Sequence, residues 1–269
     1  MTFPSASSAA TIVAIALLVS VPTTGCSDNA GQGTVAVTIW GEDFIEQGIP
    51  AAELADGWAV TFDTFVVNVG AITAAGASLP ELRTFDLTLA GPLEVGSVAA
   101  AEGAIRPVSF ALEPVDDTAQ NVNVDPAIFD AMRAAGTSVY VAGAATRDGS
   151  TVQFTWSFDV SVTYHDCLAA DSVPDGGTGT TQLTIHGDHL FYDSLVDHGA
   201  ALRFQAYADA DADADGAVTE AELRALSGIP FLALDHYDVP AGSEIDNLWD
   251  YLAAQVTTLG HIDGEGHCD

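Results

Sequence analysis

The chain has 269 residues and a formal net charge of −32, from 38 acidic residues against six basic ones, all Arg. So little positive charge argues against binding nucleic acid through its phosphates and against electrostatic attraction to an anionic membrane surface. The charge favours cations as partners, and the length allows one large domain or two modest ones.

Residues 9–21, AATIVAIALLVSV, form one apolar run that is short for a membrane span and suits the core of a signal peptide. The run ends at Pro22-Thr23-Thr24-Gly25-Cys26, which resembles a bacterial lipobox with Thr23 where Leu is usual. The resemblance implies a signal peptide over 1–25, a lipid on Cys26, and a periplasmic or cell-surface protein that meets the membrane only through that lipid. An ordinary cleaved secretory signal with Cys26 near the cut fits the same residues. Residues 26–33 then read as a short flexible tether. With Cys26 lipidated, Cys167 and Cys268 remain as a pair, and an oxidising compartment predicts a disulfide between them.

From residue 34 the apolar positions recur with period two. Val35, Val37 and Ile39 alternate with small or polar residues, and 57–69 alternates with a slip near Thr64. Residues 152–165 carry the clearest pattern, with Val152, Phe154, Trp156, Phe158, Val160, Val162 and Tyr164 on one face. Residues 138–146 are predicted to pair with its start through a turn at Asp148-Gly149. One helix interrupts, with Asp125 as cap, Pro126 at its first position and Gly136 at its end. Residues 166–180 read as a loop, 181–186 as a last strand, and 187–269 as mostly helical. Helices are expected near 194–208 and 219–227, and from Ser243 to Gly260. The expected fold is α+β: an antiparallel β-sandwich over 34–186, then a helical region over 187–269. If the sandwich bound carbohydrate, Trp40 or Trp58 would be its stacking residues, with core placement the alternative.

Residues 211–222, DADADGAVTEAE, place Asp211, Asp213 and Asp215 at loop positions 1, 3 and 5, Gly216 at 6 and Glu222 at 12. This resembles an EF-hand calcium loop. The resemblance implies calcium held by Asp211, Asp213, Asp215, the Ala217 carbonyl, Thr219 through water, and both oxygens of Glu222. Alternate residues of a tight loop turn their carboxylates to one point, and their mutual repulsion is relieved by a divalent ion. A hand without a second loop of like quality implies weak binding, on the order of 0.1–1 mM. Two other readings fit parts of the segment: an Ala/Asp-rich linker over 208–215, and a capping box at Thr219-x-x-Glu222.

His186-x-x-His189 closes the last predicted strand, and His261 and His267 lie in the tail with Glu265 between them. A bridge from Cys167 to Cys268 would also draw His165 towards His267. Such a set suits a transition ion, zinc or copper, although scattered or hydrogen-bonded histidines fit the spacing too. No G-x-S-x-G, phosphate-binding loop or dinucleotide fingerprint occurs, and no catalytic residue stands out. The sequence thus reads as an exported calcium-binding structural or binding protein. The alternative is a transition-metal protein, or a metal-dependent enzyme, built on the histidines.

Overall fold

The computed structural model describes Met1 and residues 31–196, 200–228, 231, 234 and 236–268. The expected signal peptide, the expected lipidation site Cys26 and the expected tether up to residue 30 lie outside the described residues. Fifteen strands are described: β1 (Gln32–Trp40), β2 (Ala59–Ala74), β3 (Ala77–Leu79), β4 (Arg83–Asp86), β5 (Leu93–Ala101), β6 (Gly103–Ala104), β7 (Val108–Leu112), β8 (Gln120–Asn121), β9 (Val139–Arg147), β10 (Ser150–Phe158), β11 (Val162–Cys167), β12 (Ser172–Val173), β13 (Thr178–Ile185), β14 (Ala217–Val218) and β15 (Gly260–Ile262). Helices α1 (Glu42–Glu46), α2 (Pro126–Ala135), α3 (Gln205–Asp209), α4 (Glu220–Ala225) and α5 (Leu248–Val256) are joined by a 3-10 turn at Gly187–Phe191.

The period-two residues of β1 bury Val35, Val37 and Ile39 on one face. Gln32 and Gly33, expected in the tether, already belong to that strand. β1 lies in a four-stranded sheet of order β15-β13-β1-β5. A nine-stranded sheet runs β11-β7-β2-β9-β10-β14, with β3 and β4 also paired to β2 and β8 paired to β4. The chain is mostly β, and its sheets are mixed rather than antiparallel. β1 runs parallel to β13, β10 to β14, and β4 to β8. Parallel neighbours need a long crossover, and the residues between β1 and β13 that build the other sheet supply it.

β2 shows why its centre reads as a continuous apolar run. Phe65, Val67 and Val69 join the main core, while Val66 packs with Phe129 and Met132 of α2 on the other side. The slip near Thr64 is a register shift between Phe62 and Thr64 against β9. The hairpin at Asp148-Gly149 pairs Arg147 with Ser150. Asp125 accepts from the Ala127 N–H at the start of α2, and Gly136 ends it at φ +67°.

The single strand expected over 152–165 is two. β10 pairs with β9, whereas β11 pairs with β7 three places away in the sheet. The alternation continues across Asp159–Ser161 because both strands turn the same parity inward, so the change of partner leaves no local mark. The helices expected in the last third are shorter. Of the helix expected near 194–208, the described residues show only α3 at its end, because Tyr192 and Leu54 both bridge to Leu202 and Asp193 binds the Arg203 side chain. α5 starts at Leu248 rather than Ser243, because Asn247 is its cap and accepts from the Asp250 N–H.

Phe191, Phe204 and Tyr207, beyond residue 186, pack with Phe154 and Trp156 of β10 in one apolar cluster. Cys167 at the end of β11 is bonded to Cys268, 101 residues on. Closing a loop of this length restricts the unfolded chain. Cys268→Ser is therefore expected to destabilise the protein by about 2–5 kcal/mol. The check is a urea midpoint for wild type and variant; coincident midpoints would show that the bridge constrains nothing.

Candidate metal centres

The first centre forms where three strand ends meet. The parallel register of β1 and β13 reaches Trp40 opposite Thr184, and the antiparallel register of β13 and β15 sets Thr184 opposite His261. Two residues past those ends stand Glu42 and His186. The 3-10 turn after β13 adds Asp188 and His189. A tight turn at Asp263-Gly264, both at positive φ, folds Glu265 and His267 back beside β15.

The imidazole rings are close. Centroids lie 4.4 Å apart for His186 and His261, 5.3 Å for His186 and His189, and 5.1 Å for His189 and His261. His267 stands further out, 5.8 Å from His261. His186 is buried, with Nδ1 3.4 Å from Glu42 Oε2 and 3.9 Å from Asp188 Oδ1. Ligand atoms of His186, Asp188 and His189 fall within 4.8 Å of one another, as do those of Glu42, His186 and Glu265. His189 Nδ1 lies 2.9 Å from Thr258 Oγ1, and Asp188 Oδ2 accepts from the Tyr192 hydroxyl at 3.2 Å. His261 Nδ1 is buried and has no hydrogen-bond partner.

Burial shapes the charges here. It pushes His189 and His261 down to about 4, helped by the neighbouring His186. Both rings are thus neutral at neutral pH, with lone pairs to offer. Burial also raises Glu42 and Asp188, against the pull of His186. A cation placed among these groups would relieve the carboxylates without charging the imidazoles. Glu42 carries a further cost, since its φ is +57°. A non-glycine residue held there is strained, and such strain concentrates at functional sites.

The second centre is the loop 211–222. Gly216 has φ +84°, and its N–H reaches Asp211 Oδ2 at 3.0 Å. Asp213 Oδ1 accepts from the Asp215 N–H, and Asp215 Oδ1 from the Ala217 N–H. Glu222 accepts from the Ala212 N–H, the Thr219 N–H and the Thr219 hydroxyl. Those bonds, the Thr219 N–H first, hold its carboxyl below the usual range. Ligand oxygens of Asp211, Asp213 and Glu222 lie within 4.8 Å of one another, and Asp211 Oδ1 is buried with no partner. Asp215 Oδ1 and the Thr219 hydroxyl take part in the loop's own hydrogen bonds, and the capping box is present at α4. The Ala217–Val218 strand pairs with Gln153–Phe154, and the Trp156 indole donates to Val218 O at 3.1 Å.

Other residues singled out from the sequence lie apart. His165 is exposed and paired with Asp166. Trp58 is 3% exposed, with the Arg147 guanidinium over its ring and Phe204 beside it, so it offers no face to a sugar. Trp40 is half-buried and donates to Glu46. Neither Glu42 nor Asp188 was singled out from the sequence as a site residue. Asp188 between two histidines was legible as a carboxylate, whereas Glu42 arrives only through the β1–β13 register. No family model, curated protein or solved structure matches the chain, so both centres stand on their own geometry.

If Glu42 is strained and poorly solvated, Glu42→Gly is expected to stabilise the metal-free protein by about 1 kcal/mol. Thermal unfolding in chelator measures this. A lower melting temperature would contradict the strain.

Proposed function

We propose that the chain is an exported metal-ion-binding protein whose loop 211–222 takes one calcium ion in the manner of an EF-hand. The observation that carries this reading is Asp211 Oδ1, buried without a partner where oxygens of Asp213 and Glu222 converge on it. Calcium takes six to eight oxygens at flexible geometry. The Ala217 carbonyl, the remaining Asp215 oxygen and water complete such a shell. The charge of −32 favours cation entry.

Loops of this kind usually occur in pairs. Here the edge of β10 takes up the loop's short strand instead, through the parallel pairing of Ala217–Val218 and the bond from Gln153 N–H to Gly216 O. Calcium would thus tie the last third of the chain to the sheet edge. The role supported is structural or binding rather than catalytic. The Cys167–Cys268 bridge fits an oxidising compartment. No helix among the described residues is long and apolar enough to cross a membrane, and attachment would run through a lipid on Cys26.

Calcium at ~10 mM, against a dissociation constant of about 0.1–1 mM, should add roughly 1.4–2.7 kcal/mol by mass action. The melting temperature is therefore expected to rise with calcium and to fall on chelation. Asp211→Asn should abolish the response while leaving the calcium-free melt close to wild type. A wild-type melt indifferent to calcium would overturn the proposal.

A further inference from the structure

We infer that the chain has a second, chemically different ion site, at which His186, His189 and His261, with carboxylate oxygen from Glu42 and Asp188, bind one divalent late first-row transition ion such as zinc or copper. The inference is independent of the calcium loop and shares no residue with it.

A packed histidine cluster with no ligand is the competing account, and three observations weigh against it. The first is His261 Nδ1, a buried nitrogen with nothing to bond to. A buried polar atom left unsatisfied is costly, and a ring serving only as packing material would be better replaced by Leu or Phe. The second is the lack of a counter-charge. Glu42 and Asp188 both stand against His186, and Glu265 shares a ligand cluster with Glu42 and His186. Among the described residues, the guanidinium groups that make ion pairs make them elsewhere. Arg83 pairs with Glu81, Arg133 with Asp130, Arg203 with Asp193, and Arg224 with Glu220 and Asp250. The third is that the outer nitrogens and oxygens are already held. The Thr258 hydroxyl meets His189 Nδ1, which leaves Nε2 as that ring's ligand. A proton on His186 Nε2 is accepted by Gly264 O at 3.4 Å, which leaves Nδ1 on the carboxylate side. Tyr192 fixes Asp188 through Oδ2 and leaves Oδ1 turned to His186. Holding each ligand by its far side is how proteins orient metal ligands.

The donor set decides the class of ion. Imidazole nitrogen with carboxylate oxygen suits zinc, copper(II) and their neighbours, while calcium and magnesium want oxygen alone. Thiolate chemistry is unavailable here, since Cys167 and Cys268 are bonded to each other. His267, whose ring lies beyond His261 on the exposed side, is not required as a ligand.

The test uses full-length disulfide-bonded protein, stripped with chelator and then held in ~10 mM calcium so that the loop is occupied. Zinc chloride and, separately, copper(II) sulfate are titrated against a chromophoric competitor at pH 7.4. One ion per chain is expected, with copper tighter than zinc as the Irving–Williams order requires. His186→Gln and His261→Gln are each expected to weaken zinc by at least about 100-fold, and His267→Gln by less than about 5-fold. Asp211→Asn should leave zinc affinity unchanged, which separates this site from the calcium loop. Should a histidine variant fail to fold, Glu42→Gly supplies the second arm, with an expected loss of about 10-fold or more. Wild-type protein that takes up neither ion stoichiometrically would overturn the inference. So would folded His261→Gln protein that binds zinc as wild type does.

Discussion

The parallel pairing of β13 with β1 is the constraint on which the rest of the structure depends. It joins Thr34–Trp40 to Thr178–Thr184, across a gap in sequence filled by most of the nine-stranded sheet. Because side chains alternate along a strand, a slip of one residue would turn Val35, Val37 and Ile39 out of the core. Burial of those three residues therefore fixes the register. The same register sets Glu42 beside His186, two residues beyond the last paired positions. β15 then adds His261 on the far side of β13, and the Cys167–Cys268 bridge holds the segment that follows β15. The histidine centre is thus a by-product of sheet register, which a packed core specifies far more sharply than a surface loop would.

The two centres are braced by the same short elements. The Tyr207 hydroxyl of α3, which leads into the loop 211–222, donates to Leu190 O in the turn that carries Asp188 and His189. Arg224 of α4, which leaves the loop, binds Asp250 and lies over Trp249, both on α5. The chain after α5 reaches Thr258, the partner of His189, and then His261 in β15. Each flank of the loop is therefore linked to the histidine centre through one intervening element. Short helices of five and six residues have little stability alone, so these contacts and the β10 edge hold the loop in shape.

Features written in local sequence were legible. The cap Asp125 with Pro126 and Gly136, the hairpin at Asp148-Gly149, and the spacing of Asp211, Asp213, Gly216 and Glu222 each depend on neighbours a few residues away. Features written in long-range pairing were not. Nothing near Asp159 says that β10 and β11 have different partners, and nothing near Glu42 says that His186 will stand beside it. The helix expected over 194–208 failed for the same reason. Leu202 and Asp193 are claimed by bridges and ion pairs from distant residues, which outweigh local helix propensity. Local sequence left Trp58 open between core and surface, because Phe204 and Arg147, which cover it, lie far along the chain. The gathering of His186, His189 and His261 was partly readable from H-x-x-H and the tail, and Asp188 stood between the first two, whereas Glu42 was not readable.

The central claim is that one chain holds two ions of different chemistry in separate places. Native mass spectrometry of the exported full-length protein, with calcium and zinc supplied together, tests it most directly. The account predicts a species carrying one of each ion at once, and a singly loaded species when either ion is withheld. Ions that displace one another, or a chain that stays bare in both, would contradict it.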